Sequence, residues 1–513
     1  MSPTREVLFV SILCAAQFTT QMGLSNTLLI LHSIGSSLHM TNVGTLPWLV
    51  AGYSLTVGSF ILVAGRCGDV FGHKRMLVLG YAWFAVWTAV SGLAVYGGEV
   101  LFVVARVLSG MGPAILLPNA LGLLGATYGN GERKNMVFSL FGACAPVGSI
   151  FGGLMTTLWD LVWWPWSFWT FGIALGFIAV LAAMILPTVP LDPEVQKLSL
   201  GEKIRELDLL GATVGITAMI LFNFAWNQAP GFGWQQVYIY VLLIAGVVLF
   251  AVFFWIELKV AAKPLIPFDV LSVDVLFVLG CIVCGWAAFG IWIYYFFQFL
   301  QIQRGVFPLL SVAQASPLAV SGAIAAVVTG KVISRIGPGW VMFVAMCAFV
   351  VGNILNATAP VGQTYWAQTF IVTLIIPWGM DMSFPAGTLI LSDAVPKKHQ
   401  GMGASLVNTV VNYSISIGVG IAGTVEVHVS KGGKTQADVL KGYRAALYLA
   451  SALSAAGMGI SLLFLIERQV SSKRAAVPTI RIRPMANTFS VSLPTLGRSQ
   501  VPTEMWGPGP ASA

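Results

Sequence analysis

Fourteen long apolar runs, separated by short polar segments, leave this chain few ways to fold. They lie near 7–31, 47–66, 76–97, 101–125, 136–157, 166–187, 207–226, 237–257, 273–299, 311–335, 339–357, 366–391, 402–423 and 444–466. Each approaches the ~20 residues a helix needs to cross a bilayer. The period-two alternation of a membrane barrel is absent, and inside lipid a helix satisfies its own backbone hydrogen bonds. Only 9% of the 513 residues are charged, against about 25% in soluble domains, which argues against a soluble enzyme or a disordered chain. The chain is expected to be an all-α polytopic membrane protein whose first partner is the lipid bilayer.

The basic residues orient the runs. With a cytoplasmic N-terminus, nearly every Lys and Arg falls on the cytoplasmic side. Arg304, Lys431, Lys434, Lys441 and Arg444 fall outside, and Arg106 lies within a run. A miscounted helix would invert this bias downstream of the error, so both termini are predicted to be cytoplasmic. The formal net charge of +8 does not describe a nucleic-acid surface. Much of it sits in the polar, proline-bearing tail after Glu467, where Arg468, Lys473, Arg474, Arg481, Arg483 and Arg498 face only Glu504. That tail is expected to be disordered.

Other chemistries find little support. Cys281 and Cys284 form a C-x-x-C without a second pair or a His cluster, so they read as small apolar side chains on one helix face. No P-loop is present to power an ATP-driven pump. His32, His39, His73, His399 and His428 are scattered, which argues against a membrane-embedded enzyme. No cofactor or metal is expected. The first run is too long for a cleavable signal and contains Gln17 and Gln21. The Asn356-Ala-Thr358 sequon falls on a short outer loop, too near the membrane for glycosylation to be expected.

A weak repeat recurs after about 265 residues. Gly65-Arg66, ending run two, returns as Gly330-Lys331 after run ten. Pro118, the basic Glu132-Arg133-Lys134 and Gly152-Gly153 are echoed by Pro385, Lys397-Lys398 and then Gly418 and Gly420. This predicts a six-helix bundle over 1–190, a linker and two inserted helices over 191–272, a second bundle over 273–467 and the tail over 468–513. Transporters built from repeats bind substrate between the repeats and expose it alternately to each side.

Three motifs carry a family resemblance. Gly65-Arg66-Cys67-Gly68-Asp69-Val70-Phe71-Gly72-His73-Lys74-Arg75, read as a tight cytoplasmic loop, resembles the G-x-L-a-D-R-x-G-R-K-x signature of the major facilitator superfamily. Its glycines suit a turn and close helix approach. Asp69 is expected to pair with a basic residue or a helix N-terminus of the opposite bundle as a gate, with Lys74 and Arg75 beside it. Cys67, Val70 and His73 depart from the signature. Arg106-Val-Leu-Ser-Gly-Met-Gly-Pro-Ala114 resembles R-x-x-q-G-x-G-x-A, whose arginine is tied to proton coupling in drug:proton antiporters; snorkelling to the near interface is the alternative. Gly148-Ser149-Ile150-Phe151-Gly152-Gly153 is similar to the antiporter signature G-P-x-x-G-G, with Pro146 nearby to kink the helix.

Fourteen runs with two inserted helices resemble the 14-helix drug:H⁺ antiporter branch, and Gln21 to Gly35 resembles its fungal aminotriazole-resistance and low-affinity ammonium group. The resemblance implies a monomeric, proton-coupled exporter of small organic or toxic molecules, with the substrate and protons as its partners. It implies a multi-pass protein of the plasma membrane, with a vacuolar or other internal membrane as the alternative. A transporter of a small polar solute such as ammonium, or a non-transporting sensor, are the rival readings. The branch often carries an acid in helix one, where Ser25 stands here.

Polar residues inside the runs are the cavity candidates. Gln17, Gln21 and Ser25 share one helical face, and Ser405, Asn408, Asn412 and Ser416 form a second stripe, either of which also suits polar helix packing. Asp381, three residues after Trp378, is the acidic residue nearest the middle of a run. It is the candidate for proton coupling or substrate binding, with a structural hydrogen-bonding role as the alternative. Trp292, Tyr294 and Tyr295 are candidate cavity walls or an interfacial belt.

Overall fold

The computed structural model describes residues 3–40, 46–128, 132–189, 193–261, 263–265, 272–394 and 400–476. No strand occurs among them. The helices are α1 (Pro3–Leu28), α2 (Leu31–Ser37), α3 (Trp48–Phe71), α4 (His73–Thr127), α5 (Glu132–Asp160), α6 (Pro165–Ile185), α7 (Pro193–Gln196) and α8 (Leu200–Arg205). There follow α9 (Leu209–Phe232), α10 (Val237–Lys259), α11 (Val273–Gln298), α12 (Pro308–Ala315), α13 (Pro317–Ile336), α14 (Pro338–Thr358), α15 (Gln368–Ala394), α16 (Gln400–Ser430) and α17 (Gln436–Ala476).

Among the described residues, 13 helical segments are long and apolar enough to cross a bilayer. The 55-residue α4 holds two crossings, because Gly98 breaks it with φ 79° and ψ −173°, a conformation open to glycine. Fourteen crossings result, as the apolar runs predict.

Several boundaries differ from the sequence expectation. The glycine-rich motif is not a loop: α3 continues to Phe71, and the turn into α4 is Gly72 alone, at φ 97°. Nothing before Gly72 forbids a helix, and only glycine takes that φ without strain. Glu132-Arg133-Lys134 likewise opens α5, where the Arg133 guanidinium pairs with Glu6. Run ten divides at Ser316-Pro317, since Pro317 cannot donate a helix bond and begins α13. Asn356 is buried within α14, out of reach of glycosylation.

The chain forms a compact unit over Met1–Glu467 and a second over Arg468–Ala513. The second is helical to Ala476. The tail residues 477–513 and the Lys397-Lys398 pair lie outside the described residues.

Packing follows the small residues. Helices gain no hydrophobic advantage from each other in lipid, so close van der Waals contact and polar bonds must join them. Helix α3 is buried along most of its length. Helix α10 instead presents Tyr240, Ile244, Val247, Val248 and Trp255 outward, as a lipid-facing helix does. Counting crossings within each six-helix set, the second and fifth meet their opposites: α3 packs on α16, and α13 on α5. These two seams join the N-terminal and C-terminal sets, and α9 packs against both α3 and α16.

Candidate functional site

The α5–α13 seam meets α15 at one small residue. A Cβ on Gly322 of α13 would lie 2.7 Å from Pro146 Cγ and 2.8 Å from Asp381 Oδ2. Asp381 therefore sits where the two sets touch, midway along α15 and only 8% exposed. Its Oδ2 has no hydrogen-bond partner among the described residues. Four residues on stands Pro385, which has no N–H to offer the Asp381 carbonyl. Side chain and backbone thus concentrate acceptors at one point of an otherwise apolar span. An ionised carboxylate at that depth costs several kcal/mol unless a proton or a cation neutralises it. Trp378, half-buried, lies one turn away on the same helix.

The α3–α16 seam is built differently. A Cβ on Gly65 would lie 2.8 Å from Ser405 Oγ, and one on Gly58 would lie 2.7 Å from the Tyr413 backbone nitrogen. Ser416 Oγ reaches the Ala51 carbonyl at 3.0 Å and Asn223 Oδ1 of α9 at 2.9 Å. Asn227 Nδ2 donates to the Ser416 carbonyl at 3.3 Å, and Tyr413 donates to the Met219 carbonyl at 3.0 Å. Asn412 Nδ2 turns back to the Asn408 carbonyl at 3.0 Å. The polar stripe of α16 lies along a helix seam rather than facing lipid.

Arg106 does not snorkel. It is wholly buried, donates from Nη2 to the Gly23 carbonyl at 2.7 Å, and stands 4.5 Å over the Tyr53 ring. Tyr53 in turn donates to the Thr20 carbonyl at 2.8 Å. Arg106 thus joins α1, α3 and α4 within the N-terminal set. Gly148, Gly152 and Gly153 of α5 lie against Phe18, Met22 and Leu29, so the antiporter-like motif sets the α1–α5 contact. There Ser25 Oγ meets Ser149 Oγ at 2.6 Å, while Gln17 and Gln21 are half-buried along α1.

At the end of the bundle carrying Gly72, Asp69 is exposed. Among the described residues its charged neighbour is His73 on its own side, Oδ1 to Nε2 3.6 Å, while Lys397 and Lys398 of the opposite set lie outside the described residues. Gly68 leaves room for the His73 and Asn119 side chains. Lys74 and Arg75 open α4, Arg75 exposed and Lys74 half-buried. Asp69, His73, Gly65, Gly122 and Ser405 line a small cavity between the sets. At the other end His32 Nε2 lies 2.7 Å from Gln298 Oε1, and Gln301 donates to the Leu29 carbonyl at 2.9 Å. His32 lies between crossings, and its burial favours the neutral imidazole.

Sequence reasoning missed two acids, the half-buried Glu426 and the buried Glu257. Glu426 accepts a 2.7 Å bond from Tyr295, beside Tyr443. Its apolar run ends near 423, which places it in an outer segment, whereas α16 continues to Ser430. Glu257 is buried near the end of α10, where an acid ordinarily meets water. Trp292, Tyr294 and Tyr295 are buried inside the C-terminal set and form no interfacial belt. Gly322 and Asn223 carry no signal beyond their residue type.

The fold recurs in known proteins. The sequence profile of the Major Facilitator Superfamily matches residues 13–263 and 275–497. The chain belongs to that superfamily. It is 52% identical over 470 residues to the low affinity ammonium transporter of Saccharomyces cerevisiae, covering 91% of this chain and 90% of that one. It is 44% identical over 464 residues to the efflux pump terJ of Aspergillus terreus, covering 90% and 88%. A crystal structure of the POT family transporter PepTSo superposes with a TM-score of 0.62 at 13% identity, covering 91% of this chain and 98% of that one. This superfamily member is a multi-pass membrane transporter with the facilitator fold.

Proposed function

We propose that the chain is a proton-coupled exporter of small organic molecules that works by alternating access between the two sets, with both termini cytoplasmic. The observation that carries this reading is Asp381, a buried carboxylate with an unpartnered oxygen at the α5–α13–α15 junction. A group at that junction changes its surroundings whenever the seam opens, so proton uptake and release are tied to the movement. Arg106 supplies a fixed positive charge that holds α1, α3 and α4 in one arrangement. Asp69 and the glycines around it form the gate at the Gly72 end. The efflux pump among the relatives supports export as the direction.

The test is transport in proteoliposomes with and without an imposed pH gradient. Asp381→Asn is expected to abolish gradient-driven accumulation while leaving counterflow of bound substrate. Gradient-driven flux equal to that of the unmodified protein would remove Asp381 from coupling.

A second reading, movement of ammonium or another small cation, is favoured by the 52% identity to the ammonium transporter. Asp381 would then neutralise the cation directly. Loss of counterflow as well as gradient-driven flux in Asp381→Asn, measured with a small amine, selects this reading.

A further inference from the structure

Glu426 stands near the end of α16 that is remote from Gly72, about 30 Å along the helix from Ser405 and its cavity. Its carboxylate is half-buried, and Oε2 accepts the Tyr295 hydroxyl of α11 at 2.7 Å. Tyr294 and Tyr443 flank Tyr295, with ring centroids 5.1 Å and 5.4 Å from it. All three tyrosines are buried, so apolar surface closes the inner side of the carboxylate. Helix α17 is held tight against it through Gly442, where a Cβ would lie 3.0 Å from Glu426 Cγ and 3.1 Å from the Glu426 carbonyl oxygen. The side chain is thus walled by α11 and α17 and remains partly accessible.

Among the described residues no basic side chain pairs with Glu426, although this end of the bundle carries several. Lys441 pairs with Asp438 at 3.5 Å, and Arg444 donates to the Ala359 carbonyl at 3.4 Å. Arg304 donates to Thr369 Oγ1 and to the Pro360 carbonyl, both at 2.9 Å. Lys431 and Lys434 are exposed. The carboxylate therefore has one neutral donor, which leaves most of its acceptor capacity unused and its charge uncompensated.

The chemistry around it selects the kind of cation. A hard metal ion asks for about six oxygen ligands, and no group of three His, Cys, Asp or Glu able to hold one occurs among the described residues. An organic ammonium ion asks for less. One negative charge attracts it, and aromatic surface favours a weakly hydrated cation over a strongly hydrated one. The apolar backing strengthens the attraction, because little water stands behind the carboxylate to screen it.

We infer that Glu426, backed by Tyr294, Tyr295 and Tyr443, is a docking site for a small organic ammonium ion at the end of the bundle remote from Gly72. None of these residues belongs to α5, α13 or α15, so the site is separate from Asp381 and independent of its role in coupling.

The test is equilibrium binding of radiolabelled tetramethylammonium to the full chain in lipid nanodiscs near neutral pH. Saturable binding is expected, and Glu426→Gln should weaken it by about tenfold or more. That substitution keeps the size of the side chain and an acceptor for Tyr295 while removing the charge. Asp381→Asn should bind as the unmodified protein does. Equal binding in Glu426→Gln, or no saturable binding to the unmodified protein, overturns the proposal. Loss in Asp381→Asn with none in Glu426→Gln also overturns it, by assigning the cation to the other acid. Full displacement of the probe by an equal concentration of Na⁺ overturns the organic class. If Glu426→Gln fails to elute as a folded protein, the unmodified chain decides the matter. Saturating tetramethylammonium should slow modification of Glu426 by a water-soluble carbodiimide by about fivefold or more, read by peptide mass spectrometry. An unchanged rate overturns the proposal.

Discussion

The two seams occupy equivalent places in the two helix sets, yet they are built from opposite materials. At α3–α16 the bonded polar groups are neutral: Ser416 reaches Ala51 and Asn223, and Tyr413 reaches Met219, while Asn223 Nδ2 and Asn227 Oδ1 have no partner among the described residues. The inserted helix α9 supplies part of that bonding. At α5–α13 the contact is a glycine against a proline, with the carboxylate of Asp381 beside it and one of its oxygens unpartnered. Bonds between neutral groups keep the same energy whatever the proton concentration. The carboxylate beside the second seam is ionisable and lies at the helix contact itself, so a proton acts directly on that contact.

Substituting Gly322 should break this contrast most severely. Gly322→Val places methyl groups where Pro146 and Asp381 already stand, and overpacking of this kind costs about 1–3 kcal/mol. The closed α5–α13 arrangement should be lost and transport should fall by about tenfold or more, read as counterflow in proteoliposomes. Near-normal flux would show that the seam does not close during the cycle.

Arg106 offers a control buried inside one set. Arg106→Ala removes its bond to Gly23 and its contact with Tyr53, and should lower stability by about 2–3 kcal/mol. A drop in thermal midpoint, with the position of the transport pH optimum unchanged in the surviving protein, is the expected outcome. A shifted optimum would make Arg106 part of the proton response rather than its scaffold.

Ser416→Ala probes the neutral seam. Polar bonds between membrane helices average about 0.6 kcal/mol, so a small fall in thermal midpoint and no change in pH profile are expected. Trp48→Phe should do least. It removes one bond to Gln228 at the edge of α9 while keeping the ring packing, and its effect should be about 0.5 kcal/mol or less. A larger effect on transport than on stability in either variant would mean that α9 takes part in the cycle.

The apolar runs made the crossings legible because lipid imposes one backbone solution on a long apolar segment. Asp381 and Arg106 were legible for the same reason, since a charge at membrane depth stands out against its surroundings. Glu426 was not, because helix ends are poorly marked where apolar and polar residues mix. A motif alone does not tell which side chain an aspartate will face, and the structure places His73 beside Asp69. His73 looked like a departure from a signature, and its ring partner, Asn119, lies 46 residues further along the chain.

Length, apolar periodicity and the placement of basic residues by themselves determined the class of protein, the number of crossings and the residues whose charge required explanation. Tertiary structure decided which of those charges lies inside one set and which lies between two. That division could not be read along the chain, because Gly322, Pro146 and Asp381 come from three separate crossings. Only close packing, which in lipid depends on small residues meeting across helices, brings them to one point.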